Sequence, residues 1–221
     1  MINSTLKTDS AQRVPRTGTG IDQQCLVSKG LFWKLLCKHA PDFQVKPEHE
    51  KIIFTIFRYF LLQPDFDAYG VIKNKSSLDK GLLVYGDYGV GKSTLFEVIH
   101  QVGKKIVIRT RNTQLWFPSI STITMLTRYY EAQKDPASNF RLENYYRGKL
   151  YLDDLGKEDK AYNREELIGK LLFERHRRKL KTFVTTNENP SAIADRYGPH
   201  IGDRLPEMFN IIKWEGSSWR E

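Results

Sequence analysis

Eight consecutive residues, Gly86-Asp87-Tyr88-Gly89-Val90-Gly91-Lys92-Ser93, fit the pattern G-x-x-x-x-G-K-[ST], with Thr94 after them. The chemistry follows from the residue types. Glycines let the backbone turn tightly and aim several N–H groups at phosphate oxygens. A helix that starts at the end of such a loop adds its positive pole. Lys92 can reach β- and γ-phosphates, and Ser93 can place a hydroxyl on Mg²⁺. The four fixed positions match by chance in about 1% of chains of this length. The motif therefore implies a site for a nucleoside triphosphate, ATP in the first instance, with Mg²⁺ as its metal.

Such a site needs carboxylates at the end of a second strand. Leu150-Tyr151-Leu152-Asp153-Asp154 supplies an apolar strand ending in two of them. In a parallel sheet that strand end lies on the same edge as the phosphate loop. Asp153 is the expected Mg²⁺ partner, through water, and Asp154 the group that orients the attacking water. Val184-Thr185-Thr186-Asn187 ends a further strand at that edge, where the Asn187 amide could hold the lytic water or the γ-phosphate, or simply begin a turn.

These groups have to be positioned by the rest of the chain. Residues 1–24 are polar with almost no apolar periodicity and read as a flexible tail. Residues 25–76 read as a small helical N-terminal region. In it Ser28 caps one helix carrying Leu31, Phe32, Leu35 and Leu36, and a second helix carries Ile52, Ile53, Ile56, Phe57, Phe60 and Leu61. Residues 77–221 alternate between strands and helices. Strands are expected at Leu82–Tyr85, Lys105–Ile108, Leu150–Leu152, Thr182–Thr186 and Ile211–Trp214. Helices are expected at Lys92–Val102, at Ser121–Tyr130 and after an Asn163/Glu166 capping box. Alternation of this kind implies an α/β fold, a mostly parallel sheet covered on both faces.

Composition excludes several classes. No apolar run approaches the roughly 20 residues of a membrane span, and Met1-Ile2-Asn3-Ser4 carries no signal core. Cys25 and Cys37 match no zinc or redox spacing, so a reducing, cytoplasmic setting is expected. The net charge of +9 suits a polyanionic partner.

The phosphate-loop strand Gly81–Ser93 resembles that of the DnaC/IstB-type AAA+ ATPases. So do Leu152-Asp153-Asp154-Leu155-Gly156, Leu172-Phe173-Glu174-Arg175-His176, Phe183-Val184-Thr185-Thr186-Asn187, Gly202-Asp203-Arg204-Leu205 and Gly216-Ser217-Ser218-Trp219-Arg220. The resemblance covers about residues 80–221. It implies a P-loop NTPase domain of AAA+ type without a C-terminal helical lid. Asp154 would stand where many AAA+ proteins have Glu, and Asn187 would be sensor 1. Arg204 would be an arginine finger offered to a neighbour's ATP, with Arg196 the competing candidate, and Arg220 a sensor-2-like arginine. The family's members load replicative helicases onto DNA or assist transposases, so the expected partners are single-stranded DNA, a helicase or transposase, and further copies of the chain in a ring or spiral. Residues 1–80 match no module of that family.

Two basic stretches are candidates for the DNA. Arg177 and Arg178 belong to a cluster running from Arg175 to Lys181, which would equally complement a helix dipole. Arg128, Arg141 and Arg147 lie in a segment rich in aromatics, among them Trp116, Phe117, Tyr129, Tyr130, Phe140, Tyr145 and Tyr146, the mixture that stacks on bases and tracks a backbone. A nucleoside or small-molecule kinase would use the same phosphate loop, but the Asp-Asp pair followed by Thr-Thr-Asn suits hydrolysis better. The base-reading motif of GTPases and the Leu-Ser-Gly-Gly motif of ABC ATPases are both missing.

Overall fold

Gly81–Gly86 forms strand β1, whose residues alternate between two apolar layers. Leu82 and Val84 enter one cluster with Phe32, Leu36, Ile56, Phe60, Phe96 and Ile99. Leu83 enters another with Leu152, Ile168, Leu171, Val184 and Phe209. A strand buried on both faces is what a central parallel strand requires. The computed structural model describes residues 26–219 except 42, 44, 136 and 159–166. The tail expected over 1–24, the Asn163/Glu166 capping box and Arg220 lie outside the described residues.

The chain runs α1 (Lys29–His39), α2 (Glu50–Phe60), β1, α3 (Lys92–Thr110), β2 (Ser119–Ser121), α4 (Thr122–Lys134), β3 (Leu150–Leu155), α5 (Leu167–Arg177), β4 (Thr182–Thr186), α6 (Pro190–Tyr197), α7 (Pro199–Gly202), α8 (Leu205–Met208) and β5 (Phe209–Trp214). The five strands are all parallel, in the order β2-β3-β4-β1-β5. α1 and α2 share the apolar cluster of α3 and the sheet, so the helical N-terminal region is continuous with the core. The expected Ser28 cap forms, with Ser28 Oγ accepting from Leu31 N at 3.2 Å.

One element differs from the sequence expectation. Lys105–Ile108 is helical, because α3 continues to Thr110. Of the apolar residues there, read as a strand, Ile106 instead extends the buried helical stripe of Leu95, Ile99 and Val102, while Ile108 is exposed. Arg111 ends the helix at φ 57°, a left-handed cap whose N–H reaches Val107 O. The helix at Ser121–Tyr130 is present with Ser121 as its cap, and β2 just before it was not anticipated.

Arg175 shows how a charge can belong to the fold. It is fully buried at the end of α5, where it donates to Thr182 Oγ1, Gly148 O, Lys181 O and Tyr145 O. Burial pushes its pKa down to about 10, so it stays protonated at neutral pH. Those acceptors line the entries to β3 and β4. Arg175→Leu should therefore cost about 3 kcal/mol or more, since it strands several buried acceptors, whereas exposed Arg177→Leu should cost under about 1 kcal/mol. Urea denaturation of the two variants decides this. Equal midpoints would show that the Arg175 contacts do not hold the strands.

Candidate functional site

All the parallel strands deliver their C-terminal ends to one edge, and the phosphate-loop motif occupies that edge between β1 and α3. Gly86, Gly89 and Gly91 adopt φ of 142°, 77° and 99°, backbone that only glycine takes without strain. Asp87, Tyr88 and Val90 complete the loop, with Val90 buried as its anchor and Tyr88 standing out into solvent. Lys92 Nζ donates to the carbonyls of Gly86 and Asp87 at 2.9 and 2.6 Å. Asn187 Nδ2 donates to the same Gly86 carbonyl at 2.7 Å. Lysine and amide thus meet at the mouth of the loop, one from the start of α3 and the other from the end of β4.

Asp153 Oδ1 is the centre of the second half. It accepts from Ser93 Oγ at 2.7 Å, from Tyr151 OH at 2.7 Å, from the Asp154 amide at 3.1 Å and from Thr185 Oγ1. The Ser93 and Asp153 oxygens are about as far apart as two neighbouring ligands of octahedral Mg²⁺, roughly 2.9 Å. Both are hard oxygen donors, so the pair fits that metal. Tyr151 lies flat on Phe96 at 4.7 Å, which fixes the direction of its hydroxyl.

Asp153 and Asp154 are adjacent, and in a regular strand they would face opposite sides of the sheet. The ladder between β3 and β4 shifts register between Leu152 and Leu155, and Asp154 sits at φ 56°. The bulge breaks the alternation and re-aims the Asp154 carboxylate. That carboxylate is half-buried and pairs with Lys157 at 3.1 Å, while Lys157 also covers the Tyr88 ring at 5.1 Å. Thr122 Oγ1, at the head of α4, holds the strained peptide by donating to Asp154 O at 2.8 Å.

Sequence reasoning missed the third wall of the site. Residues 215–219 turn back across the phosphate loop. Trp219 N donates to Gly89 O at 2.9 Å, and a Cβ on Gly89 would lie 2.3 Å from Ser218 Oγ. The N-terminal region grips the same segment. Lys46 Nζ reaches Ser218 O at 3.1 Å and lies over the Trp219 ring at 5.0 Å. Glu48 accepts from Ser217, and buried His49 accepts from Trp214 Nε1 at 3.0 Å and stacks on Trp219. Beside the loop this leaves a cavity of about 330 Å³, walled by Phe43, Ile53, Val90, Val98, Trp214 and Trp219, with Thr94 on its rim. The signal in the sequence was the aromatic content of the two segments, but nothing in their spacing said that they meet.

The arginines separate. Arg204 follows α7, ahead of β5, and so lies at the sheet edge opposite the phosphate loop. Its guanidinium packs on Phe173 at 5.2 Å and donates to His200 O. Arg196 is turned inward and pairs with buried Glu158. Arg147, Arg177 and Arg178 precede β3 or β4 and share the edge of Arg204. Arg177 and Arg178 both pair with Glu174, and Arg178 also lies over Tyr146. Arg128 and Arg141 line a separate cleft with Glu131, Asn144 and Tyr145. The five arginines proposed for DNA therefore occupy two different surfaces. Phe117 is core, and Trp116 stacks on His100 at 5.1 Å.

A five-stranded parallel sheet in this order, with a phosphate loop after β1 and an acidic pair after β3, is the fold of AAA+ P-loop domains. The comparisons with solved structures agree. A DnaC helicase loader aligns over 85% of this chain and 100% of its own, with a TM-score of 0.55 and 20% identity. DnaI aligns over 82% and 93%, with a TM-score of 0.53 and 20% identity. Domain III of the Thermotoga maritima replication initiation protein DnaA aligns over 79% and 65%, with a TM-score of 0.53 and 17% identity. A DnaA bound to AMPPCP and single-stranded DNA aligns over 80% and 49%, with a TM-score of 0.52 and 16% identity. No protein-family model and no curated protein sequence matches the chain. Among the described residues no helix is long and apolar enough to cross a membrane.

Lys92 has its pKa pushed down to about 8, chiefly by burial, with Asp154, Asp87 and Asp153 opposing and Lys157 adding to the fall. A bound polyphosphate favours the ammonium form. As pH rises through about 8 the free protein must first take up a proton, so affinity should fall by about tenfold from pH 7 to 9. Titrations with inorganic tripolyphosphate on the wild type and on Lys92→Arg, which stays charged throughout, isolate this effect. Identical pH profiles would mean that Lys92 does not face the anion.

Proposed function

We propose that this protein binds and hydrolyses ATP with Mg²⁺ and couples the cycle to work on DNA as a replicative-helicase loader. The observation that carries the ATPase reading is the meeting of Lys92, Ser93, Asp153, Asp154 and Asn187 at one sheet edge. The loop amides and Lys92 hold the β- and γ-phosphates, and the base enters the cavity walled by Trp214 and Trp219. Ser93 and Asp153 hold the Mg²⁺, which neutralises phosphate charge when bound. Asp154 leaves Lys157 to orient the water, and Asn187 leaves the Gly86 carbonyl for the γ-phosphate. Arg220, next to Trp219 in the chain, would add a further cation. Asp154→Asn should keep ATP bound while hydrolysis falls by roughly 10²-fold or more. Turnover at the wild-type rate would remove Asp154 from the water-orienting role.

Likeness in fold to DnaC, DnaI and DnaA supports replication initiation as the setting, and the DnaA complex with single-stranded DNA supports that ligand. With Arg204 at the far edge of the sheet, its target is the ATP of a neighbouring copy, and the chain acts as a ring or spiral. Arg204→Ala and Lys92→Ala should each be nearly inactive alone, and mixing them should restore part of the ATPase. If co-assembled mixtures stay inactive, Arg204 does not act in trans. Single-stranded DNA should bind more tightly with ATP, and its affinity should fall steeply with salt as counterions are released. Anisotropy titrations at two salt concentrations read this directly. A transposase rather than a helicase captured by the ATP-bound protein would reassign it to transposition.

A further inference from the structure

Lys157 Nζ lies 3.1 Å from Asp154 Oδ1 and 5.1 Å from the centre of the Tyr88 ring. Asp154 belongs to β3 and Tyr88 to the phosphate loop, so this ammonium bridges the two halves of the site. It is also near enough to Lys92 for its charge to act on that ammonium. Neighbours on β3, on the loop and at the head of α3 thus place one further cation at the mouth of the loop.

The backbone around Lys157 is held fast. Gly156, at φ 94°, donates its N–H to Glu158 Oε2 at 3.0 Å. Glu158 is buried and is held in turn by Tyr197 OH and Arg196 of α6. The Lys157 N–H reaches back to Asp154 O at 3.3 Å. The side chain is less constrained, since Lys157 and Asp154 are 37% and 36% exposed. An ion pair that exposed is weak, and a lysine ammonium on its flexible four-carbon stem can change partners. A fixed root and a movable tip suit a group that passes between two anions.

The chemistry of the site supplies the second anion. A water activated by Asp154 must lie about 2.6–3.2 Å from its carboxylate and about 3–3.5 Å from the γ-phosphorus. A cation against that carboxylate is then a short swing of its stem from the γ-phosphate oxygens. The γ-phosphate carries more negative charge than one carboxylate, so attraction favours it. A diphosphate puts no group there. We propose that Lys157 reads the γ-phosphate: its ammonium rests on Asp154 in the free and diphosphate-bound protein and passes to a γ-phosphate oxygen when a triphosphate binds, which frees Asp154 for the water. The proposal rests on the nucleotide reading above and adds to it the residue that tells triphosphate from diphosphate.

The test is a set of equilibrium titrations with Mg²⁺ at pH 7 on the full chain, comparing ADP with the triphosphate analogue AMPPCP. Lys157→Met should bind AMPPCP about tenfold more weakly than the wild type. It should bind ADP within about twofold of the wild type, which also verifies that it folds. Lys157→Arg, which keeps the charge, should retain most of the AMPPCP affinity. Lys213→Met controls for charge acting at a distance, because Lys213 pairs with Glu215 at 2.6 Å and feels the charge of Asp87 in the loop. It should leave the ratio of the two affinities within about twofold of the wild type. On an Asp154→Asn background, Lys157→Met should cost more AMPPCP affinity than on the wild type, because the ammonium there has no competing partner to leave. Equal losses for AMPPCP and ADP in Lys157→Met, no loss for either, or a fall in the ratio for Lys213→Met as large as that for Lys157→Met overturns the proposal and leaves the phosphate site standing. So does a cost on the Asp154→Asn background no larger than on the wild type. Wild-type protein that binds neither AMPPCP nor ADP overturns the nucleotide reading itself, and this proposal with it.

Discussion

Asp153 Oδ1 accepts hydrogen bonds from Ser93 at the head of α3, from Tyr151 on its own strand and from Thr185 on β4. These donors belong to three elements that come together only when β1, β4 and β3 lie side by side. A half-buried carboxylate is stabilised by such donors, and the strand register is what brings them to it. The register in turn brings Asn187, one residue past β4, to the Gly86 carbonyl. The bulge after Leu152 follows from the same anchoring. With Asp153 fixed inward, Asp154 reaches the same edge only through a left-handed backbone, stabilised by Thr122.

The site is held closed from outside its own strands. The loop from α1 to α2 supplies Lys46, Glu48 and His49, which grip residues 217–219 and Trp214. α1 and α2 share a core with α3 and β1, so the N-terminal helices and the phosphate loop rest on one apolar cluster. Charge is distributed on the same logic. Arg175 is consumed by the fold, Arg196 is committed to Glu158, and Arg204, Arg147, Arg177 and Arg178 stand at the edge far from the loop.

The sequence by itself determined the phosphate loop, the acidic pair, the strand ending in Asn187 and the parallel α/β class. Each of these is a local pattern. Glycines and a lysine at fixed spacing, or an apolar run ending in carboxylates, can serve one geometry only when strand and helix flank them. The sequence also fixed α1 and α2, whose apolar residues recur at helical spacing. It misled at Lys105–Ile108, where β-branched residues look like a strand until the buried stripe from Leu95 to Ile106 is seen to be continuous. Tertiary structure alone decided which cations are buried in the fold and which lie at the surface, since Arg175 and Arg177 are two residues apart on one helix and do not differ in type. It alone joined His39 to Trp219 across one cavity, because contacts between residues so distant in the chain depend on how helices and sheet pack, which no local spacing encodes.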